Sequence, residues 1–216
     1  YSASQKCISC TPGLSPVSFS DRFIERVKAR GDKVHSWFMD LNLVLNYWGN
    51  TNRTYHHTAP TNSLFALHEA LLVLKEEGLE NAWARHRRNH LALKAGLEAM
   101  GFTYLVKEQY RLPQMNAVFV PQGVNEAEVR KILLNEFNLE IGAGLGPLAG
   151  KIWRFGLMGY SCKPENVMLC LSALGSVLSN MGVAVKVGAA EAAAHQSSAG
   201  QDARDAEMTL KRVANG

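Results

Sequence analysis

LEIGAGLGPLAGKIWRFGLM, residues 139–158, holds the sharpest change of rhythm in the chain. Its two ends, LEIGAG and KIWRFGLM, read as strands. The glycine-rich middle lets the backbone turn tightly and approach a ligand. Just upstream, FTYLVKE and MNAVFVPQ read as two more strands. They are followed by the helix EAEVRKILLNEF, for which Asn125 and Glu128 form a capping-box pattern. Downstream, Pro164 opens a helix with Val167, Leu171, Leu174, Leu178 and Met181 on one face. Two strands, a helix, two strands and a helix make an α/β layer.

Toward the N-terminus the period is helical. Leu79, Trp83, His86, His90, Leu93, Leu97 and Met100 alternate spacings of four and three, so both histidines are expected to be core or partner-facing residues rather than metal ligands. TNSLFALHEALLVLKEEG carries a stripe of Leu64, Leu67, Leu71 and Leu74, with Gly78 as its stop. SWFMDLNLVLNYWG fits another helix, ended by Gly49. PVSFS reads as a short strand, and Ser20 then caps a helix through DRFIERVKAR. The expected organisation is a first domain over 1–78, an α/β domain over 79–185, and an Ala/Gly/Ser-rich tail over 186–216. The tail composition points to a flexible or partly helical segment.

The net charge of +4 is mild, and the basic run ARHRRNH has no interleaved aromatics. It reads as a solvated helix face, and no nucleic-acid partner is expected. No apolar run approaches the length of a membrane span, so no membrane partner is expected. Cys7 and Cys10 have C-x-x-C spacing, but Cys162 and Cys170 are too far apart to complete a zinc site. Four free thiols and no metal are expected.

Three places could carry chemistry. Lys6, beside Gln5 in YSASQKC, sits among small polar residues, and a lysine amine held from bulk water forms Schiff bases. YHHT, Tyr55 to Thr58, is a donor-rich loop between apolar helices. Arg154 lies in an apolar strand between Trp153 and Phe155 and cannot shed its charge, so it needs an anion. That anion is either a protein carboxylate in a buried ion pair or a bound carboxylate or phosphate. The neighbouring GAGLGPLAGK is not a phosphate loop, because Ile152 follows Lys151 where Ser or Thr would be required.

Together, YSASQK, PGLSPVSFS, YHHTAP and GLGPLAGKIWRFGLMG resemble the animal alanine–glyoxylate (serine–pyruvate) aminotransferases. These are class V aminotransferases of the type I pyridoxal-phosphate fold. The resemblance runs from Tyr1 to about Met181 and leaves out the stretch after Val183. It implies the end of the large cofactor-binding domain plus the small C-terminal α/β domain. It implies pyridoxal 5'-phosphate as cofactor, Lys6 as its Schiff-base and proton-transfer lysine, and Gln5 as a phosphate contact. Tyr55 and Thr58 match residues that reach the phosphate of the neighbouring subunit in a homodimer, and Arg154 matches the arginine that holds the substrate α-carboxylate. The family's pyridine-nitrogen aspartate and ring-stacking aromatic precede the lysine, and only five residues do so here. The expectation is therefore a C-terminal portion carrying half of an active site.

The implied activity of the complete protein is transfer of an amino group from L-alanine or L-serine to glyoxylate or pyruvate. The alternatives are a related transaminase, such as one acting on 3-hydroxykynurenine, or a non-catalytic fragment that dimerises with an intact subunit. The resemblance implies a peroxisomal address, with mitochondrion or cytoplasm as alternatives; the terminal ANG is not a peroxisomal tripeptide of the SKL type.

Overall fold

The computed structural model describes residues 1–48, 51–52, 54–186 and 188–214, with side chains as far as Gln201. The chain divides into two compact units, Tyr1–Leu72 and Val73–Gly216.

The first unit is helical. Helix α1, Asp21–Lys28, begins where Ser20 accepts a hydrogen bond from the Phe23 amide, as its N-cap position predicts. Phe19, just outside the cap, stacks on Phe23 with ring centroids 4.8 Å apart. Helix α2, Leu41–Trp48, starts later than the apolar pattern implied. The Asp40 carboxylate accepts from the Asn42 amide at 3.0 Å and makes Asp40 the cap, while residues 36–39 turn ahead of it. The stop expected at Gly49 lies outside the described residues. Helix α3, Thr61–Glu77, carries the expected leucine stripe but buries none of its residues.

PVSFS is not a strand. Pro16 to Ser20 form no ladder, and Val17 and Phe19 stand exposed. A strand is a pairing between segments, and among the described residues this unit supplies no second one.

The second unit holds the core. Helix α4, Leu79–Ala99, buries His86, Asn89, His90, Leu93, Gly96 and Leu97, whereas Leu79 and Trp83 in its first turns are exposed. Strands β1 (Met115–Phe119), β2 (Gly142–Ala143) and β3 (Ile152–Gly156) form an antiparallel sheet in the order β1-β3-β2. FTYLVKE reaches the sheet only locally. Tyr104 bridges to Val118, the Leu105 amide donates to Ala117, and the chain then leaves for a short 3-10 turn at Glu108–Tyr110. Helix α5, Glu126–Phe137, has the expected Asn125 cap, accepting from the Glu128 amide. Helix α6, Pro164–Asn180, buries Val167, Leu171, Leu174 and Leu178, while Met181 just past its end is exposed. Val118, Trp153 and Phe155 turn one face of the sheet into this core, and the Trp153 indole donates to the Glu126 carbonyl at the start of α5.

Of the two readings of the tail, flexible or partly helical, the structure has the helical one: helix α7, Ala189–Ala214. Its Ala190 and Ala194 belong to the core. A Cβ added at Gly96 would collide with Leu171 and lie 3.1 Å from the Ala190 carbonyl. Small residues on α4 and α7 therefore let the two backbones approach, and close packing replaces the large apolar side chains that the composition lacks. The division between units falls inside α3 rather than at Gly78. The Glu77 carboxylate at the end of α3 is held by the Arg85 guanidinium of α4 in a two-pronged pair, at 2.5 and 2.8 Å.

Candidate active site

The Lys6 segment is a folded loop. The Ser2 amide donates to Pro16 at 2.9 Å and the Ser4 amide to Leu14 at 3.3 Å, so the two sides of the loop run together. Ser4 is fully buried, and its hydroxyl donates to the Thr11 carbonyl at 2.7 Å. The Ser9 amide closes back on the Lys6 carbonyl at 2.9 Å, with Ser9 in the left-handed region at φ 61°. Gln5 and Lys6 stand exposed in this turn. The loop presents the amine but does not itself dehydrate it. Ser4, which holds the loop shut, was the residue to find, and its signal was the small polar run ahead of the lysine.

In the YHHT loop the Tyr55 and Thr58 hydroxyls lie 2.6 Å apart. Tyr55 is 68 % exposed, whereas His56 between them is buried. The two hydroxyls of this turn are hydrogen-bonded to each other, so one O–H is engaged and the other can donate outward; an acceptor that replaced their mutual bond would receive both.

Arg154 sits on the sheet face opposite Trp153 and Phe155, because side chains alternate along a strand. Gly142 is its partner across the β2–β3 ladder, and a Cβ there would lie 3.4 Å from the guanidinium. The absence of a side chain at Gly142 opens the room the guanidinium occupies. The Arg154 Nε donates to the Ala143 carbonyl at 2.7 Å. Among the described residues no carboxylate pairs with it. Lys6, Gln5, Tyr55 and Thr58 belong to the first unit and Arg154 to the second.

No family model matches the chain. A solved ureidoglycine–glyoxylate aminotransferase from Bacillus subtilis superposes with a TM-score of 0.87 at 38 % identity, covering 90 % of this chain and 50 % of that one. A solved alanine–glyoxylate aminotransferase from Nostoc sp. has a TM-score of 0.79 at 47 % identity, covering 82 % and 46 %. The alanine–glyoxylate aminotransferase of Callithrix jacchus is 41 % identical over 181 residues, 82 % of this chain and 44 % of that protein. This chain is a homologue of the glyoxylate aminotransferases. It spans about half the length of the curated relatives it matches, and its mixed α/β architecture is that of the type I pyridoxal-phosphate transferases.

Within this glyoxylate-aminotransferase homologue, a second set of residues buttresses β3 from behind. Arg85 Nη1 donates to the carbonyls of Gly159 and Cys162, at 2.8 and 2.9 Å. Asn89 donates to the same Cys162 carbonyl at 2.9 Å. His86 Nε2 accepts from the Gly159 amide at 3.0 Å, so its Nδ1 carries the proton and donates to the Ala82 carbonyl at 2.6 Å. The turn that ends β3 is therefore clamped by one face of α4. Hydrogen bonding to Arg85 holds the Glu77 carboxyl below its ordinary range. Deeper in, the buried Asn116 accepts from His90 at 2.7 Å and from the Tyr104 hydroxyl at 3.3 Å. Burial pushes His90 down and Tyr104 up from their ordinary values. His86 and His90 are core residues, as their place on the helix seam implied. Burial likewise lifts the Cys170 thiol to about 12, a structural rather than a reactive cysteine. Cys7 is exposed and Cys10 part exposed, Cys162 and Cys170 are buried, and none of the four is in a disulfide. No helix among the described residues is long and apolar enough to cross a membrane.

Proposed function

We propose that the complete protein is a pyridoxal-phosphate-dependent aminotransferase that passes the amino group of L-alanine to glyoxylate, giving pyruvate and glycine, with L-serine and pyruvate as a second pair. The observation that carries this reading is Arg154. It is a permanently charged fork with one nitrogen anchored to Ala143 and no protein carboxylate among the described residues to neutralise it. An α-carboxylate is common to amino donor and oxo-acid acceptor alike, and it matches the fork.

The donor set of the first unit suits the cofactor. An exposed primary amine, Lys6, is available to an aldehyde, and two converging hydroxyls, Tyr55 and Thr58, are available to a phosphate ester. Bound there, pyridoxal phosphate supplies the electron sink for the carbanion. Lys6 would hold the cofactor through Nζ, and the same amine, when free, would accept the proton that leaves the substrate α-carbon. Gln5 adds a phosphate contact. Tyr55 and Thr58 act on the phosphate of a second copy, which makes the active enzyme a homodimer with shared sites.

The complete enzyme with Arg154→Lys tests the assignment. A lysine is a point donor and cannot reproduce two parallel bonds, so KM for alanine and for glyoxylate should both rise. The expected loss is about 1.5–3 kcal/mol, as for a charge-assisted contact. Cofactor retention should hardly change. Unaltered KM values in a folded variant would sink the role. A second reading, with ureidoglycine as amino donor, is favoured by the wider match to the Bacillus subtilis protein, 90 % of this chain against 82 %. The ratio of kcat/KM for ureidoglycine and alanine, with glyoxylate as common acceptor, decides between the donors.

A further inference from the structure

We propose that His56 and His57 are a hydrogen-bonded couple, joined through a single proton, that positions the Tyr55 and Thr58 hydroxyls for their acceptor. The proposal rests on the reading above that these hydroxyls take a phosphate. Its own basis is the geometry of the two imidazoles. His56 Nε2 lies 3.0 Å from the Trp37 carbonyl, which only accepts, so that nitrogen carries a proton. In the neutral ring Nδ1 is then a bare lone pair. His57 Nδ1 lies 2.8 Å from it, a separation that two lone pairs or two N–H groups would not tolerate. One proton bridges the rings, and His57 donates it.

The couple is held from outside by aromatic faces. Trp37 stacks on His56 with centroids 4.0 Å apart, and Phe38 meets His57 edge-on at 5.2 Å. Tyr47 of α2, the titratable group among these neighbours, touches both His57 and Tyr55, at 5.9 and 6.0 Å. His56 is thus fixed at both nitrogens and on one face, midway along the segment whose ends are the converging hydroxyls. Without the bridge, one buried imidazole nitrogen is unpaired and the turn loses its internal brace. Adjacent histidines in a polar loop suggested no such role in sequence, because neighbouring side chains seldom meet.

The test uses the complete protein, with and without cofactor. Asparagine places an amide donor near the position of imidazole Nδ1, whereas leucine fills space and donates nothing. With His57→Leu, chymotryptic cleavage after Tyr55 in the native protein, taken relative to the same variant unfolded, should quicken by about two- to tenfold, the loss of one net hydrogen bond. His57→Asn should be cut close to the rate of the unchanged protein. Histidine 15N spectra of the unchanged protein should show the bridging nitrogen pair as one protonated and one bare. Cleavage unaffected by His57→Leu, or two protonated bridging nitrogens, would overturn the proposal. So would His57→Asn being cut as fast as His57→Leu, since ring packing would then be the whole effect. Cofactor retention is measured in parallel on Tyr55→Phe/Thr58→Val. Retention unchanged in that variant, with cleavage behaving as expected, removes the phosphate reading and leaves the couple standing.

Discussion

The two units of this chain are built on opposite plans. In Val73–Gly216 the large, fully buried apolar side chains among the described residues belong to one cluster spanning α4, the sheet, α5 and α6. In Tyr1–Leu72 the buried residues among those described are two polar ones, Ser4 and His56, each the anchor of a candidate-site loop. Trp37, Met39 and Phe65, by contrast, stand more than half exposed. The second unit is held by apolar area removed from water. The first is held by caps, turns and side-chain hydrogen bonds that shape the loops bearing Lys6 and the hydroxyl pair. A segment that buries so little has little stability of its own, and whatever binds its folded form adds to that stability by mass action.

The strongest way to break this comparison is to delete a core side chain. Trp153→Ala removes a fully buried indole and its bond to Glu126, and should cost about 3–5 kcal/mol. Chemical denaturation monitored by far-UV circular dichroism checks it, and a cost under about 1 kcal/mol would deny the second unit its core.

A smaller effect comes from pH. Burial lowers His90 in the folded protein below its unfolded value near 6.5. The unfolded chain therefore binds a proton first. Stability of the second unit is full above about pH 6.5 and falls as the pH drops below that value toward the folded one. Denaturation midpoints between about pH 8 and 5 should show this slope, and His90→Asn should flatten it.

The smallest effect sharpens the contrast. Phe65 on α3 is 75 % exposed, so Phe65→Ala should shift the unfolding free energy of the isolated chain by no more than about 0.5 kcal/mol. A loss comparable to that of Trp153→Ala would mean that the first unit owns an apolar core after all.

Much of the local architecture was legible residue by residue. Ser20, Asn125 and Pro164 marked helix starts correctly, because a cap is an interaction between residues three apart. The periodic stripe of α6 and the central part of the α4 seam identified their buried faces, because helical period depends on chain geometry alone. Apart from the late start of α2, which the local Asp40 cap sets, the failures were non-local. PVSFS alternates like a strand but pairs with no strand among the described residues, and FTYLVKE joins the sheet for only one bridge. The leucine stripe of α3 was read correctly as a pattern, yet a pattern does not say whether a partner covers it.

By itself the sequence determined which residue types could do chemistry and where they fall: the lysine in its polar turn, the two hydroxyls flanking two histidines, and the arginine in an apolar strand. The tertiary structure alone decided what surrounds them. It set Arg154 against Gly142 on the face away from the core, and it left the guanidinium without a carboxylate among the described residues. It also brought the Trp37 carbonyl to 3.0 Å from the His56 Nε2 and laid an alanine-rich tail along α4 as a helix. Each of these is a meeting of groups in space. Propensity, capping and periodicity act within a few residues, whereas pairing, burial and charge neutralisation depend on which distant segment arrives to supply the partner.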